Sequence, residues 1–328
     1  MLRLLSFLAA IAVAHARQFG PQLPHPANPF ADPKNDPYNP LGYIASDTLT
    51  AIAFSFVLTS AIVQTFMMRK WGAWWMSCMV IGEYTFAVGT GSRFGLARQP
   101  ESRPIYIVEY LFVVLSPCAF IAADYVLLGR LARHLNAGQH LLIRPSRIMI
   151  TFVVSDITTF LIQAAGGGVS IGANTPQQAK TGSNIFLAGL AIQLVSFLTF
   201  SAIFVYFVLR VHKFEPQAWT RDAGKRWYDD WRALAAALAL SCIGIVIRSF
   251  YRVVELTQGF QGPIAENEPL FYGLDTLPLF IAVVVYVPFW PGRFILPQVH
   301  PPVGKDAEAT PTNTAGERNK VSTVSEPQ

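Results

Sequence analysis

The sequence contains few charged residues. Asp, Glu, Lys and Arg make up 14% of its 328 residues, whereas about 25% is usual for a soluble domain. Hydrophobic residues make up 52%, so the composition is typical of an integral membrane protein. The net charge of +5 does not indicate nucleic-acid binding, because the basic residues cluster in short loops between apolar runs, as membrane topology requires.

Several kinds of reactive site are also missing. The six histidines lie outside the apolar runs, and the three cysteines do not form a C-x-x-C pair, so neither a metal site nor a disulfide framework is indicated. The sequence has no G-x-x-x-x-G-K-[ST] phosphate-binding loop, which argues against an ATP-driven pump. No lysine lies in an apolar run, which argues against a retinal Schiff base. We therefore expect no enzymatic activity, no metal and no cofactor.

The two ends of the chain differ in composition from its middle. Arg3 precedes a short apolar core that ends in Ala14-His15-Ala16, which predicts a signal peptide of residues 1–16, cut after Ala16; a short signal anchor is the alternative. Residues 17–43 are rich in proline and predict an extended extracellular leader. Residues 293–328 are rich in Pro, Ser, Thr, Glu and Lys and predict a disordered cytoplasmic tail.

Residues 44–292 contain seven long apolar runs, each close to the about 20 residues that a helix needs to cross a bilayer. They lie at about 45–67, 73–91, 105–128, 148–165, 184–209, 233–257 and 270–290. We predict an all-α membrane protein with seven transmembrane helices, its N-terminus outside and its C-terminus cytoplasmic. In that topology the inside segments carry 16 lysines and arginines and the outside segments carry 6, as the positive-inside rule requires.

Charged and amide side chains lie within these runs, mostly in the half nearer the outside. Such residues are costly in a bilayer and usually face a functional cavity. Arg248, Arg252 and Glu255 are spaced i, i+4, i+7 and therefore share one helix face. The sequence predicts one outer polar cavity for a ligand, formed by six helices through Glu83, Glu109, Gln163, Gln193, Arg248, Arg252, Glu255 and Asp275. The alternative is that these residues form ion pairs that only hold the helices together.

Two further acids are candidates for a proton-binding or gating site. Asp124 lies near the inner end of the third run, and Asp156 shares a face of the fourth run with Thr159 and Gln163. Nothing in the sequence shows that either acid takes up a proton.

Several short blocks, in order along the chain, resemble the fungal RTA-like family of lipid-translocating exporters. The most specific block is R-S-x-Y-R-x-x-E-x-x-Q-G, which runs from Arg248 to Gly259. The other blocks are Tyr38-Asn39-Pro40, Glu83-Tyr84 with Arg93, Ser116-Pro117, Asp156 with Gln163, Gly189 with Gln193, and Glu268 with Asp275. The chain departs from the family pattern at Glu109, where Gln is usual. An extra acid at the outer end favours a cationic amphiphile.

The resemblance implies an exporter or translocator of amphipathic lipids, such as sphingoid bases or sterol-like amines, acting in lipid homeostasis or in resistance to toxic amphiphiles. Its partners would be membrane lipids or amphipathic small molecules, and the basic inner loops offer surfaces to cytosolic proteins. With the signal peptide, the resemblance predicts the plasma membrane. A seven-helix receptor or sensor for lipids remains the alternative, although the chain lacks a D-R-Y motif and its seventh run lacks N-P-x-x-Y.

Overall fold

The computed structural model describes residues 28–295, except residues 35, 37, 144, 174, 223, 225, 260 and 261. The predicted signal peptide, the first part of the leader and nearly all of the predicted tail lie outside the described residues. Throughout the described part, the regular elements are helices and none is a strand.

Seven helices form the body of the described chain. They are α1 (Asp47–Trp71), α2 (Ser77–Arg98), α3 (Arg103–His134), α4 (Pro145–Ile171), α5 (Pro176–Phe214), α6 (Trp231–Thr257) and α7 (Leu277–Val284). A short helix, Glu268–Leu270, and a π-helix, Phe271–Thr276, lead directly into α7. Single turns also occur at Trp74–Met76, Gly138–His140, Pro216–Trp219, Trp227–Asp229 and Pro291–Phe294.

Five of these helices are long and apolar enough to cross a membrane, judged by length and composition among the described residues. They are α1, α3, residues Arg147–Ser170 of α4, α5 and α6. The second predicted segment does not qualify, because α2 carries Glu83, Arg93 and Arg98. The seventh is divided into short pieces. The all-helical membrane class is thus confirmed, while the number seven and the orientation stay predictions.

The helices pack in sequence order and close into a ring. Helix α2 contacts α1 and α3, α4 contacts α3 and α5, and α6 contacts α5 and α7. Helix α7 in turn contacts α1. There the side-chain amide of Gln64 donates a hydrogen bond of 2.9 Å to the carbonyl of Val283. Large apolar side chains such as Phe66 and Phe250 remain more than half exposed on the outside of the ring, as expected of a surface that faces lipid.

Glycines bring α4 and α5 into close contact. A Cβ added at Gly166 would lie 2.4 Å from the backbone nitrogen of Phe186, and one added at Gly182 would lie 2.4 Å from that of Ser170. Because neither residue has a side chain, the two backbones approach each other as small residues permit in membrane helices. Of this pair, α5 contributes Phe186 and Leu190 to the lining of the cavity described below.

We call the end of the bundle at which α1 begins and α2 and α6 end the leader end, and the opposite end the tail end. Ser46 caps α1 by accepting a hydrogen bond of 3.4 Å from Leu49, and its own N–H donates to Glu268 at 2.9 Å. Asn39 is buried, and its amide donates to the Tyr43 carbonyl at 3.3 Å. The last residues of the predicted leader therefore pack against the bundle.

Candidate ligand cavity at the leader end

The first charged cluster is centred on Arg93, near the end of α2. Its side chain is 1% exposed and forms an ion pair of 3.1 Å with Glu109 of α3. The same guanidinium forms an ion pair of 3.3 Å with Glu268 and donates a hydrogen bond of 2.7 Å to the Tyr43 hydroxyl. A buried arginine is stable only when its charge and donors are matched in this way. We call Arg93, Glu109, Glu268 and Tyr43 the Arg93 cluster.

Aromatic rings complete the surroundings of Arg93. Its guanidinium carbon lies 4.4 Å from the ring centre of Phe271, within the range of a cation–π contact. Burial raises the pKa of Tyr43 to about 12, although the neighbouring Arg93 acts to lower it. The Tyr43 phenol therefore keeps its proton at neutral pH and adds no negative charge to the cluster.

The second charged cluster joins α6 to the π-helix. Asp275 is fully buried, and its Oδ1 lies 2.6 Å from Nε of Arg252 and 3.1 Å from Nε of Arg248. Arg252 also pairs with Glu255 at 2.9 Å. The i, i+4, i+7 spacing places the two arginines and Glu255 on the face of α6 that meets this aspartate. We call Arg248, Arg252, Glu255 and Asp275 the Asp275 cluster.

Arg248 has a further partner in α3, a backbone carbonyl that a proline leaves without its helical hydrogen bond. Pro117 has no N–H, so the carbonyl four residues earlier, that of Val113, receives no regular helical hydrogen bond. Arg248 donates to this carbonyl through Nη2 at 2.8 Å. The break in the α3 hydrogen-bond pattern and the buried arginine on α6 therefore satisfy each other.

The π-helix explains how two acids seven residues apart reach different clusters. Within Phe271–Thr276 the turns are wider than in an α-helix, and the N–H of Leu277 bonds to the carbonyl of Tyr272, five residues earlier. Pro278 follows immediately and has no N–H with which to continue an α-helical pattern. Glu268 reaches Arg93, whereas Asp275 reaches the arginines of α6. Such π-turns occur frequently at functional sites.

A cavity lies between the two clusters and holds about 730 Å³ of empty space, counting its open mouth. Its charged lining is Arg93, Glu109, Arg248, Arg252 and Glu255, and its aromatic lining is Tyr43, Tyr106, Tyr110, Phe186 and Phe271. Leader residues Pro40 and Leu41 border it as well. A charged wall beside an aromatic wall suits a molecule with a polar head and an apolar body.

The structure corrects the prediction that all eight polar residues share one cavity. Four of them, Glu109, Arg248, Arg252 and Glu255, line the cavity, and Asp275 pairs with two of these. Glu83 does not reach it, because it lies ten residues before Arg93 on α2, which is about 15 Å along the helix. It accepts hydrogen bonds from Ser60 at 2.7 Å and Gln64 at 3.0 Å instead.

The two predicted glutamines also lie away from the cavity. Gln163 of α4 donates to Gln193 of α5 at 2.7 Å, and Gln193 donates to the Cys118 sulfur of α3 at 3.3 Å. The deepest α5 residue of the cavity lining is Leu190, and Gln193 lies almost one turn beyond it. These amides therefore link α3, α4 and α5 on the tail-end side of the cavity.

The two acids predicted as proton or gating sites have different surroundings. Asp124 accepts hydrogen bonds of 2.8 Å from Ser241 and 2.8 Å from Tyr286, one at each oxygen. Asp156 is 4% exposed, and neither of its carboxylate oxygens accepts a hydrogen bond of regular geometry among the described residues, although the Tyr125 hydroxyl lies beside it. The geometry therefore separates a bonded acid from an unbonded one.

Sequence reasoning missed three members of the Arg93 cluster as site residues. Arg93 itself was assigned to an outer loop, because the second apolar run was ended at residue 91, but α2 continues to Arg98 and buries it. Glu268 shared the i, i+7 spacing with Asp275. Nothing in the sequence indicated Tyr43.

Comparisons with known proteins now decide the family. The model of the family described as RTA1-like protein matches residues 79–298, about two thirds of the chain. The chain belongs to the RTA1-like protein family. The match includes every residue of the two arginine clusters except Tyr43.

Members of this family with curated names are similar over much of the chain. Three come from Saccharomyces cerevisiae: Protein RTA1 is 32% identical over 65% of this chain and 64% of its own length; Protoporphyrin uptake protein 1 is 32% identical over 61% and 63%; Sphingoid long-chain base transporter RSB1 is 26% identical over 74% and 69%. The match therefore spans just under two thirds of the length of the first two relatives. No solved structure matches the chain.

Proposed function

We propose that the protein moves amphipathic, lipid-like molecules across a membrane, with sphingoid bases and sterol-like amines as the expected class. The observation that carries this proposal is the cavity at the leader end, where arginine–carboxylate clusters meet an aromatic wall. The space inside it for a water-sized molecule is about 60 Å³, below the about 300–1,000 Å³ of typical small-molecule sites, so binding of a whole amphiphile requires the cavity to widen. The names of two relatives, one an uptake protein for protoporphyrin and one a sphingoid base transporter, support the same class.

The charge balance of the cavity favours a cationic head group. The two clusters contain three arginines and four carboxylates, those of Glu109, Glu255, Glu268 and Asp275. Asp275 is fully buried between two arginines and cannot reach a ligand unless its ion pairs with them are broken. Glu109 and Glu255 line the cavity. Glu109 shares Arg93 with Glu268. Glu255 shares Arg252 with Asp275. An ammonium group would bind between these two carboxylates through charge-assisted hydrogen bonds.

We infer that residues 44–292 cross the plasma membrane seven times. The leader end faces outside and the tail end faces the cytoplasm. The last turns of α1, α3 and α5 carry basic pairs at the tail end: Arg69 and Lys70, Arg133 and His134, His212 and Lys213. This bias supports the inference, because cytoplasmic ends of membrane helices are enriched in Lys and Arg. Acceptor sites for N-glycans, inserted one loop at a time, would report which loops lie outside.

A flux measurement tests the proposed function. The purified protein would be reconstituted into vesicles, and the movement of a fluorescent sphingoid base would be compared among wild type, Arg252→Ala and Arg226→Ala. Arg252 has buried partners in the Asp275 cluster, whereas Arg226 is exposed and bonds the hydroxyl of Tyr228. We expect Arg252→Ala to lose most of the flux and Arg226→Ala to retain it.

A milder variant separates ligand binding from folding. Glu255→Gln keeps the size of the side chain at the edge of the cavity, where its side chain is 14% exposed. We expect it to weaken binding of the cationic amphiphile while the protein remains folded, as judged by size-exclusion chromatography. Absence of flux in wild-type vesicles, or equal flux in all variants, would refute the proposal.

A further inference from the structure

Asp156 stands apart from the other buried acids in the bundle. Each acid of the two leader-end clusters has an arginine within 3.3 Å. Glu83 and Asp124 have no arginine partner in the described chain, but hydroxyl or amide groups donate to them. Asp156 has no cation beside it, and neither oxygen accepts a hydrogen bond of regular geometry from the described residues; the Tyr125 hydroxyl is the donor group next to it. A carboxylate buried in this way is costly as an anion and much less costly as a neutral acid.

The groups that face Asp156 give no compensating positive charge. From α3, Tyr125 and Cys118 lie close enough to interact with it electrostatically, and Asp124 interacts with the same Tyr125. The Tyr125 hydroxyl is buried beside Asp156 and forms no hydrogen bond of regular geometry in the described part of the chain.

The neighbouring helices add no charge at this depth. In α4, Asp156 is the only charged residue after Arg147. Helix α5 packs against α4 and has no charged residue between Lys180 and Arg210. A proton is the one cation that needs no additional space and only a single carboxylate to hold it.

The position of Asp156 connects it to the ligand cavity. Cys118, which senses the charge of Asp156, accepts the hydrogen bond from Gln193 and also lies within electrostatic reach of Arg248. Arg248 lines the cavity and pairs with Asp275. Cys118 of α3 is therefore near both Asp156 and an arginine of the cavity wall.

We propose that Asp156 reversibly binds a proton midway along the bundle, and that this proton is exchanged as the amphiphile moves. The second half of the statement rests on the proposed function. In the closed arrangement described, Asp156 is the neutral acid. Release of the proton leaves the Asp156 anion, which requires a new partner, such as water or the cationic head of the amphiphile. Such a partner reaches Asp156 only when α3 and α4 move apart, so the charge of Asp156 is coupled to that movement. Asp124 does not fill this role, because both of its oxygens already accept hydrogen bonds.

The proton site can be tested without any transport measurement. Infrared spectra of the purified protein at neutral pH contain the carbonyl stretching absorbance of protonated carboxylic acids. We expect Asp156→Asn to remove one component of this absorbance, whereas the control Asp47→Asn removes none, because Asp47 is exposed at the start of α1. Asp156→Asn keeps the size of the side chain and an oxygen that can accept from the Tyr125 hydroxyl, and is therefore expected to fold. Asp156→Glu, which keeps an acid there, should shift that component instead of removing it.

The coupling is tested with the same variants in vesicles. With wild-type protein, a transmembrane pH gradient should change the rate at which a fluorescent sphingoid base crosses. Asp156→Asn should abolish this response, and Asp47→Asn should respond like wild type. An unchanged infrared spectrum in Asp156→Asn would overturn the proton site. A response to the gradient that persists in that variant would overturn the coupling. Wild-type vesicles without flux would instead refute the proposed function and leave the infrared result to decide the proton site.

Discussion

Removing the acid at the centre of the Asp275 cluster should destabilise the fold strongly. Asp275 is fully buried and faces Arg252 at 2.6 Å and Arg248 at 3.1 Å. In Asp275→Asn, Arg252 would keep Glu255, but Arg248 would keep only the carbonyl of Val113. Two buried like charges would then lie side by side. Loss of one partner from a buried ion pair costs about 3–5 kcal/mol, because the remaining charge stays desolvated.

An exposed ion pair of the same length provides the matched control. Asp229 lies 2.6 Å from Arg293, but the two side chains are 40% and 30% exposed. Solvent screens this pair, so Asp229→Asn should cost only about 0–1 kcal/mol. The free energy of unfolding would be measured by denaturant titration in detergent micelles, with tryptophan fluorescence as the signal. Equal losses in the two variants would show that burial does not strengthen the Asp275 cluster.

A triple variant distinguishes a structural cluster from one that binds the ligand. Replacement of Asp275 by Leu and of Arg248 and Arg252 by Met removes three of the four charges of the cluster and leaves only Glu255, whose side chain is 14% exposed at the edge of the cavity. Apolar replacement of a complete buried ion cluster is often neutral for stability or even favourable. We expect the triple variant to regain part of the stability lost in Asp275→Asn, yet to show no movement of a sphingoid base. Full transport by the triple variant would mean that the cluster only holds α6 and the π-helix together.

Two further predictions concern backbone contacts. Gly166→Ala should cost about 1–3 kcal/mol, because the new methyl group overlaps the backbone of α5, whereas Gly168→Ala, which has open space around it, should change stability little; similar melting temperatures for both would contradict the packing of α4 on α5. Pro117→Ala restores an N–H that bonds to the Val113 carbonyl, so it should reduce the cost of Arg248→Met. A double-mutant cycle of unfolding free energies that shows no coupling would disprove this link.

The helical architecture could be predicted largely from local pattern. Apolar runs of membrane-spanning length predict helices, since a bilayer leaves no other way for most backbones to satisfy their hydrogen bonds. The prediction was less accurate where charge interrupts the pattern. Helix α2 extends beyond the predicted end because Arg93 finds buried partners on α3 and in the leader. The seventh segment changes from a π-helix to an α-helix near Pro278, which hydrophobicity does not indicate.

Local spacing and tertiary structure contribute different parts of the candidate site. The sequence alone determined the family, the shared face of Arg248, Arg252 and Glu255, and the presence of costly acids within apolar runs, because helical periodicity and composition are local properties. Only the tertiary structure decided which acid meets which arginine. It joined Asp275 to the arginines of α6 and Glu109 to Arg93, and among the described residues it gave Asp156 no cationic partner. These pairings depend on the length of each helix and on the faces that neighbouring helices present to it. Contacts between residues distant in sequence determine both properties.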